Sequence, residues 1–243
     1  MSADILPLVL YDFEADPQLP GYPTFSPFVL EVYRALTFAK LSFKHERVAY
    51  QKLKSINPLG QLPVLRVGTE LVCDSTRILQ RIDQLAPGSM SAGLDARALA
   101  EAWLWEEFSD TALYPLVLAT RWADDRGWAV INPAFFGALP PVVRNLVANM
   151  IRKKTLSSLV GRDFLRAGLD ACHARTLRVL DQLEARAPEA GFWLGDKLCV
   201  ADLGLFGQLH ALRLPKTAYR ASQIAGRKRL SRWLDRVDAA TRE

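Results

Sequence analysis

No run of about 20 apolar residues occurs in the 243-residue chain, so nothing reads as a membrane-spanning helix. The first residues, MSADILPLVLYDFEAD, have no basic stretch ahead of an apolar one and carry Asp4. They do not read as a secretory leader, and a cytoplasmic location is expected. Cysteine is scarce: Cys73, Cys172 and Cys199 are far apart, odd in number and lack a C-x-x-C pair. That excludes a disulfide framework. The three histidines, His45, His173 and His210, show no metal-ligand spacing with each other or with the cysteines, so no metal site is expected.

What is present is ample apolar material. Half of the residues are hydrophobic and 23% are charged, which suits a packed core. The length fits one large domain or two modest ones. The net charge of +5 is uneven: residues 1–88 hold 9 Lys/Arg and 9 Asp/Glu, and residues 205–243 hold 9 and 3.

Leu6–Tyr11 reads as a short buried strand. The stretch EADPQLPGYPT is too long for a tight turn and reads as a loop. Ser26-Pro27 then opens a helix, with a favoured N-cap and a proline at the first helical position. Residues 42–49 alternate as a half-buried strand does, and 62–67 with 69–73 read as a hairpin turning at Gly68. Asp74-Ser75 caps a further helix that ends at Pro87-Gly88. After the small-residue stretch SMSAG only helical runs follow, over about 95–125, 140–160 and 165–186, from Ala201, and over about 227–240. In the second of these, Val142, Val143, Leu146, Val147, Met150 and Ile151 share an apolar face. A mixed α/β domain at 1–87 followed by an all-helical domain at 95–243 is the organisation expected.

Three short constellations carry chemistry. In NPLGQLPVL (57–65), Pro63 opens a strand. Xaa-Pro bonds are the ones that can be cis, and a cis bond here would turn the Leu62 backbone outward to pair with a peptide-like ligand. An ordinary loop with two prolines fits the same letters. Asp74-Ser75 at a helix start offers oxygens, backbone N–H groups and a positive dipole end to an ammonium-carboxylate ligand, or simply caps the helix. Ser26-Pro27-Phe28 offers a hydroxyl at a helix N-terminus, able to donate to a thiolate or to cap. A fourth stretch, GDKLCVAD (195–202), spaces Cys199 and Asp202 as a capping box does and is structural.

In this order, the Ser-Pro-Phe start, NPLGQLPVL, Asp74-Ser75 with Arg77-Ile78, and GDKLCVAD resemble the glutathione transferase superfamily over nearly the whole chain. The resemblance implies a thioredoxin-like N-terminal domain, an all-helical C-terminal domain and glutathione as co-substrate. Leu62 would offer its backbone to the cysteinyl part, with Gln61 and Pro63 beside it. Asp74 and Ser75 would hold the γ-glutamyl end, and Lys52 or Lys54 the glycyl carboxylate. Ser26 falls where Ser-type members keep the hydroxyl that stabilises the thiolate. A small hydrophobic electrophile would lie between the domains, with Phe13, Tyr22, Phe25, Trp103, Tyr114 and Trp122 as candidate walls, and a homodimer is expected.

The chain departs from the pattern in places. The loop before Ser26 is long, Val29 follows Ser-Pro-Phe, and Cys199 replaces the usual capping hydroxyl with a poorer acceptor. The Ser-Pro-Phe-Val start and long loop also resemble the branch that holds bacterial aryl-ether-cleaving members and the metaxin and failed-axon-connections group. That branch keeps open a non-catalytic protein for ligand binding or protein interaction. With serine at 26, thiol-disulfide chemistry is disfavoured. The basic residues of 213–236 come with no nucleic-acid fold signature, and a solvated face with no nucleic-acid partner is expected.

Overall fold

A computed structural model describes residues 6–91, 93–137 and 139–242. By contacts the chain forms two compact units, one of residues 1–106, 190–207 and 235–243, the other of 107–189 and 208–234. The division expected at residue 88 is one of secondary-structure type, whereas these units follow packing.

Among the described residues the strands all lie in the first unit: β1 (Leu8–Phe13), β2 (Phe43–Val48), β3 (Val64–Val67) and β4 (Glu70–Cys73). They form one sheet in the order β2-β1-β3-β4. β1 and β2 are parallel, so a crossover must join them, and α1 (Pro27–Phe38) supplies it. β3 runs antiparallel to β1 and to β4. Gly68 closes the β3–β4 hairpin at φ +61, a conformation that glycine adopts without a Cβ penalty. β1 starts two residues later than expected, with Leu6 exposed. Between β2 and β3 a 3₁₀ turn at Tyr50–Lys52 and α2 (Leu53–Ile56) occupy a stretch that carries no helical period long enough to read.

α1 and α3 (Ser75–Leu85) pack on each other and on the sheet. Val29, Val32, Leu36, Ile78, Leu79 and Ile82 fill the layer between them. Later segments complete this unit. α9 (Val200–Leu212) contributes its residues up to Gly207, all buried, and Gly207 lies so close to α1 that a Cβ there would stand 2.7 Å from the Pro27 carbonyl oxygen. From α11 (Lys228–Thr241), Asp238 meets Arg34 of α1 in a buried ion pair at 2.7 Å. Asp202 accepts bonds from the backbone N–H groups of Trp193 and Cys199, at 2.8 and 3.1 Å, and the Cys199 thiol donates to it at 3.5 Å. The Cys199 sulfur therefore serves Asp202 as a donor.

α4 (Ala96–Phe108), a π-helical turn at Ser109–Leu113 and α5 (Tyr114–Trp122) form the run expected over 95–125. Pro115 has no N–H to continue the ladder, and the π turn lies just ahead of it.

The second unit is helical. α5 packs against α6 (Asp125–Phe136), α7 (Pro141–Gly161) and α8 (Leu169–Arg186), with Leu116, Ala119, Leu159 and Cys172 at the centre. α6 and α10 (Ala218–Ala225) were not legible as separate helices. The apolar face expected on α7 is not its buried face. Val143, Leu146 and Met150 are exposed, while Ala148 and Leu159 on the opposite side are buried. The Val142 side chain lies outside the described residues. The basic stretch of 213–236 is only partly a solvated face: Arg220 is buried, and Arg227 and Arg229 pair with Asp181 and Glu189. Trp122 packs at tilted or edge-on angles against Trp128, Phe135 and Phe136, and Phe25 is buried in the core.

Candidate functional site

Strand directions gather the sequence-predicted residues at one end of the sheet. β1 and β2 end there, at Phe13 and Val48. β3 begins there, since Val64 pairs with Tyr11 near the end of β1. Val64 also faces Cys73 of β4, so the next pair outward sets Pro63 opposite Asp74. α1, which follows β1, starts at the same end, and so do α3 after β4 and the short turns after β2. Ser26, Leu62, Pro63, Asp74, Ser75, Lys52 and Lys54 are thereby brought to one edge of the first unit.

At this edge the NPLGQLPVL loop is stapled from within. Asn57, buried, donates from Nδ2 to the Gln61 carbonyl at 2.9 Å, and its Oδ1 accepts from the Leu59 N–H at 3.0 Å. The Leu62–Pro63 bond is cis, as expected. The Leu62 backbone stands beyond the last paired residue of β3. Gln61 is exposed, and Leu62 and Pro63 are buried. Asn57 was not singled out in the sequence, although an Asn-Pro step is a turn signal.

Asp74 sits at φ +84, in a region that non-glycine residues seldom occupy. Its Oδ1 accepts from the Arg77 N–H at 3.3 Å, and its side chain stays exposed while Ser75 is buried. Backbone strain of this kind is held at the N-terminus of α3, whose positive dipole end suits a negative charge.

Ser26 caps α1: its Oγ accepts from the Val29 N–H at 3.3 Å. Behind it lies a hydrogen-bond chain that was not foreseen. The Ser26 N–H donates to Thr24 Oγ1 at 3.0 Å, and Thr24 donates to Asp12 Oδ1 at 2.9 Å. Asp12, fully buried on β1, also accepts from the Phe13 N–H at 2.7 Å and contacts His45 Nε2 on β2 at 3.1 Å. The long loop before Ser26 is pinned as well. Arg34 donates to the Gly21 carbonyl at 3.1 Å and Arg47 to the Pro23 carbonyl at 3.2 Å. Only distant partners reveal this order; the loop's composition gives no sign of it.

Lys52 and Lys54 are exposed, and neither ammonium is in an ion pair among the described residues. Lys54 lies along Gly60, its Cγ 3.6 Å from where a Cβ would be. The edge thus combines two helix N-termini, an unpaired strand start and free lysines. Such a set suits an extended, peptide-like ligand with carboxylates at its ends. Among the described residues no cluster of His, Cys, Asp and Glu could hold a metal ion, and no helix is long and apolar enough to cross a membrane.

Comparison with known proteins identifies the family. The family profile "Glutathione S-transferase N-terminal domain" matches residues 27–127, and "Glutathione S-transferase, C-terminal domain" matches residues 166–236. The chain belongs to the glutathione S-transferase superfamily. No curated protein sequence matches it. Among solved structures it is similar to a glutathione transferase from Phanerochaete chrysosporium, at 16% identity and TM-score 0.68 over 99% of each chain. It is also similar to a glutathione S-transferase of Ceriporiopsis subvermispora in complex with glutathione, at 17% identity and TM-score 0.67 over 98% of each chain. The Beta-etherase LigF from Sphingobium sp. strain SYK-6 shares 20% identity at TM-score 0.62 over 96% of each chain. At these identities the likeness is one of fold.

Proposed function

We propose that the chain is a glutathione transferase that joins the glutathione thiolate to a small apolar or aromatic electrophile. The observation that carries this reading is the meeting of the α1 and α3 N-termini with the Leu62–Pro63 strand start at one sheet edge. Glutathione would lie along that edge. Leu62 pairs its backbone with the cysteinyl residue beside Gln61 and Pro63, Asp74 and Ser75 take the γ-glutamyl ammonium and carboxylate, and Lys54 takes the glycyl carboxylate.

Chemistry then falls to Ser26. A free thiol has a pKa near 8.5, so only a few per cent is thiolate at neutral pH. A fall of about two units makes it mostly thiolate. The Ser26 hydroxyl accepts from the Val29 N–H, which leaves its hydrogen to donate to sulfur. An accepted bond polarises the hydroxyl and strengthens that donation, and the α1 dipole adds to it. Thr24 and Asp12 fix the Ser26 backbone from behind. The thiolate attacks the electrophilic carbon, a C–S bond forms, and the leaving group departs with its electron pair.

A domain of residues 1–87 binding glutathione, a helical domain of 95–243, a homodimer and a cytoplasmic location complete the proposal. The capping bond of Ser26 favours a second reading, since a hydroxyl that caps a helix needs no ligand. In that case the protein binds ligands or partners without catalysis, as expected for a metaxin-like member. Turnover of an activated aryl halide with glutathione separates the two. Ser26→Ala is expected to lower turnover about 100-fold, comparable to losing one oxyanion-type donor, with glutathione affinity nearly kept. An unchanged rate would leave Ser26 as a cap alone.

A further inference from the structure

α7 presents an outward face that nothing in its own unit covers. Val143, Leu146 and Met150 are 46%, 74% and 62% exposed, and Val160 near the helix end is 46% exposed. Steps of three and four residues place Val143, Leu146 and Met150 on one side of the helix, over a length of about 10 Å, and the exposed Lys153, Lys154 and Ser157 stand between them and Val160. The opposite side holds the packing: Ala148 and Leu159 are buried, and Arg152 bonds the Trp122 carbonyl and Asp125. Large exposed apolar side chains clustered in this way mark an interaction surface.

Charge selects the occupant. α7 has no Asp or Glu in its 21 residues. Lys153 and Lys154, beside the stripe, are exposed and in no ion pair among the described residues. The unit to which α7 belongs holds 18 Lys/Arg against 9 Asp/Glu. A second copy docked α7 to α7 would set these lysines against another basic face. A bilayer with anionic headgroups offers what the face requires, an apolar layer beneath a sheet of phosphates. We propose that α7 lies in the surface of an anionic phospholipid membrane. Val143, Leu146 and Met150 enter the acyl boundary, and Lys153 and Lys154 reach up to the phosphates. The helix spans nothing, and contact is reversible and weakened by salt. This inference is independent of the glutathione site.

The test is cosedimentation of the whole protein with phosphatidylcholine vesicles, with and without phosphatidylglycerol. The protein is expected to sediment with the anionic vesicles only and to be released by salt. Leu146→Glu with Met150→Glu, both at exposed positions, should abolish the association while the thermal midpoint holds. Lys153→Ala and Lys154→Ala should each weaken it about 5-fold. Absence of sedimentation with anionic vesicles overturns the proposal, as does undiminished binding by the double glutamate variant. A dimer in gel filtration that Leu146→Glu dissociates would assign the face to a second copy instead, and would equally overturn it.

Discussion

The two units treat buried charge differently. The first holds 13 Lys/Arg and 17 Asp/Glu, the second 18 and 9. In the first, Asp12 and Asp202 are fully buried and accept well-formed hydrogen bonds, and Arg34 meets Asp238 at 2.7 Å. In the second, acids are too few to go round. The Arg220 guanidinium is buried with no hydrogen-bond acceptor among the described residues, its nearest carboxylate being Asp124 at 3.9 Å. Asp124 is already engaged by Arg126, at 2.7 and 3.0 Å, and that bonding holds its carboxyl below the usual range. Burial lowers the pKa of Arg220, and burial also brings Arg121 down to about 10. The polar frame behind the candidate site is therefore matched group by group. The helical unit pairs Arg126, Arg152 and Arg227 with acids at its surface but leaves the buried Arg220 poorly matched.

That contrast can be broken experimentally. Its largest expected effect is at Arg34. Arg34→Met leaves Asp238 buried with Arg242 as its remaining ion-pair partner among the described residues, and denaturant unfolding should show a loss of about 3–5 kcal/mol. Next comes Cys199, whose thiol is pushed up to about 12, first by burial and then by Asp202. The fold favours the protonated thiol. Stability from this group is thus complete below the ordinary thiol pKa near 9 and is lost as pH rises from there toward 12. The expected slope is about 1.4 kcal/mol per pH unit. Cys199→Ser keeps a donor to Asp202 and cannot ionise, so its unfolding free energy should fall less between pH 9 and 10.5 than the parent's, by about 1–2 kcal/mol. The smallest effect is expected at Arg220. Arg220→Met should leave stability within about 1 kcal/mol of the parent or raise it, because the charge it removes is poorly paired. A loss at Arg220 as large as that at Arg34 would erase the distinction between the units.

What the sequence disclosed follows the same line. Local signals were legible: the Ser26-Pro27 and Asp74-Ser75 caps, the Gly68 hairpin and the Pro63 strand opening all lie where expected. Each depends on residues within a few positions of one another. Long-range bonds were hidden. Nothing near Thr24 announces that Asp12 and Ser26 share it, and nothing near Arg34 announces Asp238. α6 escaped notice because Gly127 and Pro133 interrupt its pattern. On α7 periodicity showed that apolar residues share a side, but only the neighbouring helices decide which side is covered, and they take the one with Ala148 and Leu159.

Calorimetric titration with glutathione, read together with the ultraviolet band of the bound thiolate, bears most directly on the candidate site. At neutral pH the parent protein should bind glutathione in the micromolar-to-millimolar range and show the thiolate band, and Ser26→Ala should bind but lose the band. Binding without a thiolate in the parent, or no binding at about tenfold above the millimolar range, would contradict the account.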